Sequence, residues 1–550
     1  MDAHRNEDQQ RNIPNQMPPY YAPQMPPYYA IPYRPPYIPK PSVREVGEKR
    51  DMVYALLLVI FSILAANFYL WGGSGIAASV ISICLFLTGV IYILPYRERC
   101  SAYSIVCIAL YILCAASLTF SDDSFGRFFA IVAMIVLSAL TLMELRQLRR
   151  WPSGTLRAVG DWCNTAFVYS FGSFATTFYA LFHRKNEDGR TCKRRLGSVL
   201  LGIACAVPAL LIIVPLLTDA DAAFKNLLQI LTFDSLGEIL LSILLGFAIF
   251  LLLFGQSFTA RYSIREAEEK PQSSKGIEPI ILTAFGCVIS LVYVLYLVSQ
   301  LAYFFHAFSG LLPSDYTVAE YARRGFFEMA TVCLINLGMV MAVLLMVRKK
   351  EGKEPLSARL FSLFLCVFSL LLIATAMSKM FLYIDSFGMT RLRILTSVFM
   401  VFLAVVFCAV GVRLFVRKLP YMKIALVAAV LLTAVMGFAD LDRVVAKYNV
   451  EAYLSGTLDS IDMDELYMLH SDSIVPYVWR LTEDANEQVR DDAYEILYDR
   501  LWDHGLVEYD NTLRNVKLID VAYDWRGYNV PEYEAFCLLK EHAQQIIDNR

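Results

Sequence analysis

The 550-residue sequence lacks the short patterns that carry enzyme chemistry. Its six histidines are scattered, and no H-E-x-x-H sets two imidazoles on one helix face for zinc. No P-loop cradles a nucleotide phosphate, no G-x-S-x-G presents a nucleophile, and no G-x-G-x-x-G follows a strand. There is no C-x-x-C among the twelve cysteines. Most of these lie in apolar runs (Cys84, Cys107, Cys114, Cys205, Cys287, Cys333, Cys366, Cys408) and read as small packing residues. Cys537 is the sole cysteine after Asp440, so that region closes no internal disulfide. No N-x-[ST] sequon occurs, which suits a bacterial source. No metal and no cofactor is expected.

Charge is also scarce. Charged residues are 18% of the chain and apolar ones 57%, with a mean hydropathy of +0.48. Ordinary soluble domains carry about 25% charged residues and roughly 45–50% apolar ones. The apolar excess must face lipid. The charge that exists is divided: from Asp440 to Arg550 there are 24 acids and 10 bases, a net of about −14. The whole chain is −2, so the remainder is about +12, scattered over short loops. That scatter excludes a nucleic-acid binder.

What is present is a run of apolar segments long enough to cross a bilayer. They are Val53–Trp71, Ile76–Leu94, Ala102–Thr119, Phe128–Met143, Leu196–Leu217, Leu236–Phe258, Ile280–Phe305, Phe326–Val347, Leu360–Met377, Ile394–Val412 and Ile424–Phe438. The expected fold is all-α: a polytopic transmembrane bundle of about 11 spans with a small soluble helical C-terminal domain. With the N-terminus in the cytoplasm, about 30 Lys and Arg fall in inner segments against about 7 in outer loops. The domains are then a Pro/Tyr-rich disordered cytoplasmic tail (1–50), the bundle (51–439) and an extracytoplasmic acidic domain (440–550). The tail repeats Gln16-Met17-Pro18-Pro19-Tyr20-Tyr21-Ala22 as Gln24-Met25-Pro26-Pro27-Tyr28-Tyr29-Ala30. This is polyproline-type chain suited either to tethering or to docking in an aromatic groove. The first apolar run starts too late for a cleaved signal and has no Ala-x-Ala exit.

Ala166–Phe182 is aromatic but rich in Ser, Thr and Gly, and both of its flanks are basic. A single crossing would strand one basic cluster outside, so an interfacial or re-entrant segment near 150–185 is expected, with Trp151 and Trp162 at headgroup level. Phe224, Leu227, Leu228 and Leu231 share one helical face in an outer loop. Pro208 and Pro215 kink the fifth span or break it in the manner of transporters. Beyond Asp440, Asp462 is placed as an N-cap with Glu465 three residues on. Gly505 is expected as a C-cap and Pro531 in a first helical turn. Asp459, Asp462 and Asp464 are spaced loosely like a calcium loop, but the turn glycine is missing and capping explains them.

Four stretches together resemble an uncharacterised bacterial membrane family, domain of unknown function 4173 and its relatives. They are Leu217-Thr218-Asp219-Ala220-Asp221-Ala222-Ala223-Phe224, Tyr321-Ala322-Arg323-Arg324-Gly325-Phe326-Phe327-Glu328, Phe387-Gly388-Met389-Thr390-Arg391-Leu392-Arg393 and Ala446-Lys447-Tyr448-Asn449-Val450-Glu451-Ala452-Tyr453-Leu454. The resemblance implies a bacterial plasma-membrane protein and no assigned activity, so no functional residue is carried over from it.

The candidate ligand-binding residues lie at the outer edge. Glu320, Arg324 and Glu328 are spaced i, i+4, i+8 on one face, with Arg323 beside them. Lys379, Tyr383, Asp385, Arg391 and Arg393 surround the next outer connection. Outer arginines oppose the topological charge bias, and charge at the hydrocarbon boundary is costly unless paired or used. Two readings stay open: an anionic headgroup site, such as a lipid or lipid-linked glycan, or an ion-pair lock between helices and outer domain. Function divides the same way. A non-enzymatic sensing or assembly protein, with protein partners at the tail or the C-terminal domain, stands against a transporter or lipid-handling protein. A lipid-linked-donor transferase with Glu328 or Asp385 as base is the third possibility.

Overall fold

In the computed structural model, residues 47–71, 75–98, 100–151, 154–172, 174–185, 191–193, 213, 216–217, 236–263, 277–309, 326–348, 354–510, 515–523 and 527–550 are described. Residues 1–46 of the tail, most of the expected span Leu196–Leu217 with its two prolines, and the Phe224 helix lie outside them.

The other ten expected spans all fall on helices. Helix α1 is Lys49–Trp71, α2 Ile76–Ile93, α3 Ala102–Ser117 and α4 Ser124–Arg146. After a break come the short α5 (Ala158–Cys163), a π turn (Asn164–Val168), α6 (Tyr169–Phe171) and α7 (Phe174–Phe182). Strands β1 (His183–Lys185) and β2 (Thr191–Lys193) pair antiparallel. The bundle continues with α8 (Leu236–Tyr262), α9 (Pro279–Ser309), α10 (Phe326–Met346), α11 (Leu356–Phe387), α12 (Arg391–Phe415) and α13 (Tyr421–Ala439). Among the described residues nine helices are long and apolar enough to cross a membrane, and α3 is a shorter apolar one. Their exposed side chains are large and apolar; Ile280 is 79% and Val298 67% accessible. Such surface is stable only against hydrocarbon.

The helices form two packed groups. One core joins α1 to α4 with α8 through Leu58, Ile93, Leu137, Phe254 and Phe258. The other joins α9 to α13 through Phe361, Leu365, Leu403 and Phe407. Helix α13 belongs to both: Val430 and Ala434 enter the first core, Tyr421 and Ala425 the second. In lipid, helices associate by close packing, which favours small residues at the contacts. Gly246 of α8 is such a contact, since a Cβ there would stand 2.5 Å from the Ile63 Cα of α1. Inside the second group the polar Asn336 is satisfied across three helices. It accepts from Tyr293 Oη at 2.7 Å and donates to Ser369 Oγ at 2.9 Å.

Hydrogen bonds fix which helix ends meet. At one end Arg261 of α8 reaches Asp51 of α1, the Ile277 amide donates to Met346 O, and Arg413 meets Glu354. Segment 158–182 has both its ends here. Asp161 accepts from the amides of Arg150 and Trp151, and Ala180 O accepts from the Gly47 amide at 3.1 Å.

A C-terminal domain covers part of the opposite end. Helix α14 (Leu441–Leu454) leads to α15 (Met463–Tyr467), α16 (Val475–Val478), α17 (Glu487–Asp503) and α18 (Val530–Asp548). Their core holds Val445, Leu466, Val478, Leu497, Leu501 and Leu539. Asp462 caps α15 by accepting from the Glu465 amide at 3.0 Å. Gly505 takes φ +62° after α17, and Pro531 sits in the first turn of α18. The sequence reading missed a hairpin, β3 (Val507–Asp510) against β4 (Asn515–Leu518). Each strand is only four residues long, too short for alternation to stand out. The domain and bundle together, Val43–Arg550, make one compact unit.

Replacing Gly246 with Val forces α1 and α8 apart. We expect a clear loss of thermal stability in detergent, whereas Gly338→Ala, which meets open space, leaves it unchanged or raised.

Candidate functional site

The best-built polar structure lies where the chain leaves α13 and enters the C-terminal domain. One residue, Asp440, makes the turn. Its φ of +53° is in the left-handed region, which Asp tolerates better than most residues because its short side chain bonds locally. The carboxylate is completely buried and accepts four hydrogen bonds. Oδ1 takes the Arg443 amide at 3.1 Å, capping α14, and Ser473 Oγ at 2.9 Å. Oδ2 takes the Asp122 amide and Ser471 Oγ, both at 3.0 Å. One side chain thus ties the α3–α4 turn, the α13–α14 turn and the 471–473 segment together.

Its neighbours extend the seam. Asp442, also buried, accepts the Ser471 amide at 3.0 Å and is gripped through both oxygens by Arg391, the first residue of α12. Asp123 caps α4 through the amides of Phe125 and Gly126. Asp122 pairs with Arg127 at 3.3 Å and accepts the Asp472 amide at 3.3 Å. Asp472 in turn lies 3.5 Å from Arg500 and 3.0 Å from His504 Nε2. Three more bonds complete the docking: the backbone pairs Ile76 N to Tyr528 O at 2.8 Å and Val530 N to Thr119 O at 3.1 Å, and the side-chain donor Asn529 Nδ2 to Ser121 O at 2.9 Å.

Burial pushes the Asp122 carboxyl up to about 7, with the Asp472 charge adding to it. Burial likewise raises Asp123 to about 6 and lifts Glu532 above its ordinary range. At His504, burial pulls the imidazole down, but the Asp472 carboxylate outweighs it and holds the group above its usual value.

Of the sequence candidates, Glu320, Arg323 and Arg324 lie outside the described residues, together with Tyr316 and Tyr321. Glu328 is exposed in the first turn of α10. Lys379 is half-buried on α11. Asp385 and Arg391 contact the C-terminal domain, and Tyr383 and Arg393 contact each other. Tyr448 Oη of α14 donates to Asp385 at 3.2 Å. Arg393 stacks 4.1 Å over the Tyr383 ring and donates to Phe387 O at 2.9 Å and to Gly388 O. Asn449 bonds both the Met389 amide (2.6 Å) and its carbonyl (2.9 Å). Gly388, at φ +75°, has Asn449 where a Cβ would fall.

Sequence reasoning missed Asp440, Asp442 and Asp472. The only signal was a dense run of acids and serines just past the last span, Asp440-Leu441-Asp442 and Ser471-Asp472-Ser473. It also missed a second polar centre at the other end. There Arg261 meets buried Asp51 and, at 2.6 Å, Glu48. The guanidinium lies 4.1 Å from the Tyr96 ring centroid and 4.8 Å from that of Tyr262. Tyr92 and Tyr262 both donate to Asp51, at 2.7 and 3.3 Å. Next to it Arg146 donates to the carbonyls of Ala260, Arg261 and Ser263, satisfying the orphan acceptors at the end of α8. Among the described residues no group of three or more His, Cys, Asp or Glu has metal-holding geometry.

These features define a multi-pass helical membrane protein with a soluble domain locked onto one end of its bundle. The chain belongs to the family described as Domain of unknown function (DUF4153), whose model matches residues 105–480. The expectation of an uncharacterised family holds, but the matching model is that of DUF4153, not the 4173 family that the four stretches resemble. The match spans Asp122, Asp440, Asp442 and Asp472, while Arg500, His504 and Glu532 fall beyond it. No curated protein and no solved structure matches.

Two outcomes follow. Asp440→Asn sets an amide NH₂ against groups that themselves donate, costing roughly 1–3 kcal/mol for each donor left without an acceptor, read as a drop in melting temperature. The seam also sets a pH dependence. Carboxylates raised in the folded state bind more protons there than when unfolded, and a raised histidine does the same, so both contributions grow as pH falls. Purified protein should become more stable from pH 8 to about 5, and Asp122→Asn should flatten that slope.

Proposed function

We propose that this chain is a non-enzymatic envelope protein that senses or assembles, with the acidic C-terminal domain as its contact surface. The observation that carries the reading is the buried Asp440–Asp442 seam, which welds a soluble domain to the α3–α4 turn, α12 and α13. A domain held this rigidly reports to, or is positioned by, the membrane helices rather than swinging on a linker. Its outer face suits protein contact: Glu487, Asp491 and Glu495 are exposed and spaced i, i+4, i+8 on α17. The loop charges favour a cytoplasmic N-terminus and an extracytoplasmic C-terminal domain, and the four resembling stretches favour a bacterial plasma membrane. On that orientation segment 158–182 is a re-entrant element of the cytoplasmic face, its two ends both resting at the Arg261 end.

A second reading is supported by Glu328, exposed on the first turn of α10. With Glu320, Arg323, Arg324, Lys379, Tyr383, Asp385, Arg391 and Arg393 it would frame an anionic lipid or lipid-linked headgroup, in a transporter, a lipid-handling protein or a transferase. Asp442 already occupies Arg391 in the structure, which favours the lock over the ligand at that residue.

Orientation is checked with single-cysteine variants that retain Cys537 or Cys100, both exposed. An impermeant maleimide added to intact cells should label Cys537 and spare Cys100. The contact surface is checked by Glu487→Lys, Asp491→Lys and Glu495→Lys together, which leaves the core intact. Co-purifying proteins should be lost at unchanged melting temperature. An unchanged set of co-purifying proteins, or retained lipid-linked material in its place, would sink the first reading in favour of the second.

A further inference from the structure

The far end of the second helix group carries a feature that neither reading uses. An apolar groove of about 560 Å³ runs between α11, α12 and α13, open along its side. Met377, Val401, Ala404, Cys408, Val412 and Leu419 are among its lining residues, and its walls are almost wholly apolar. On α12 it spans from Val401 to Val412, eleven residues or about 16 Å of helix. That is close to the depth of one leaflet of a hydrocarbon core about 30 Å thick. The groove ends at the Arg261 end of the bundle, where Leu419 closes it.

Its mouth is charged. Arg417 and Lys418 stand in the turn between Val412 and Leu419, both exposed, and neither has an ion-pair partner among the described residues. The neighbouring bases differ: Arg413 pairs with Glu354 at 3.3 Å, and Lys423 lies 3.7 Å from Glu144. Two cations without an ion-pair partner among the described residues, over an apolar slot about one leaflet long, match a molecule with a negative head and a hydrocarbon tail.

The geometry points to a binding site for one anionic phospholipid of that leaflet, its acyl chain in the α11–α12–α13 groove and its phosphate at Arg417 and Lys418. Arginine meets phosphate through two parallel N–H groups and lysine adds a point charge. The occupant bears on α13 at its Ile424 end, where Tyr421 and Ala425 enter the second helix core.

The test is native mass spectrometry of the full chain taken from nanodiscs of phosphatidylglycerol and phosphatidylcholine mixed equally. Wild type should retain phosphatidylglycerol at least tenfold over phosphatidylcholine. Arg417→Gln with Lys418→Gln, a surface change that leaves packing alone, should abolish that preference. Ala404→Trp, which fills the groove, should abolish retention of either lipid. Equal retention of the two lipids by wild type overturns the proposal, as does an unaltered preference in the double glutamine variant. Displacement by inorganic phosphate at millimolar concentration would also overturn it, because the acyl chain would then contribute nothing. The site lies at the opposite end from Glu328 and the α17 face, so its failure leaves the proposed function standing.

Discussion

A carboxylate sealed away from water must find donors for both oxygens, or fold differently, because an uncompensated buried charge costs several kcal/mol. Asp440 meets that demand with four donors drawn from three segments. The rest of that end of the molecule is arranged to supply them. The α3–α4 turn presents the Asp122 amide, the 471–473 segment presents two serine hydroxyls, and α14 starts where Asp440 can cap it. The left-handed backbone at Asp440, which costs of order 1–3 kcal/mol in a non-glycine residue, is held by the same bonds. Asp442 and Arg391 repeat the arrangement one step further along, so α12 cannot slide relative to the domain without breaking a two-point ion pair.

The two ends of the bundle solve the problem of buried charge differently. At the Asp440 end acids outnumber bases, neutral serines and amides do much of the compensation, and Asp122, Glu532 and His504 are all raised above their usual ranges. At the other end a single guanidinium, Arg261, is enclosed by two carboxylates and by aromatic rings whose faces attract cations. A guanidinium keeps its proton throughout the physiological range, so this second centre holds its charge while the first responds to acidity.

Much of the fold was legible in the sequence. The spans are announced by length and apolarity alone, which is why ten of the expected eleven coincide with described helices. The remaining one, Leu196–Leu217, lies mostly outside the described residues. Caps such as Asp462 and Gly505 are legible because they act within three or four residues. The polar centres were not, for a reason of distance along the chain. Asp51 and Arg261 are 210 residues apart, Asp122 and Asp440 are 318, and Ser121 and Asn529 are 408. No local period encodes such pairs. The rim arginines were found because they violate the charge bias of loops, and Arg391 proved to have a carboxylate partner on the C-terminal domain. Arg261 broke no such rule, since a basic residue at a helix end expected to be inner is what that bias demands.

Those separations also impose an order in time. Chains leave the ribosome at roughly 5–20 residues per second, so Arg261 emerges some 10–40 seconds after Asp51. Throughout that interval Asp51 lacks its cation, and the Glu48 amide and the Tyr92 hydroxyl are the donors made before Arg261. The far seam closes later still, since Asn529 is made after Arg261. Maturation of this protein therefore proceeds as a queue of waiting charges, each half-site held open until a distant codon is read.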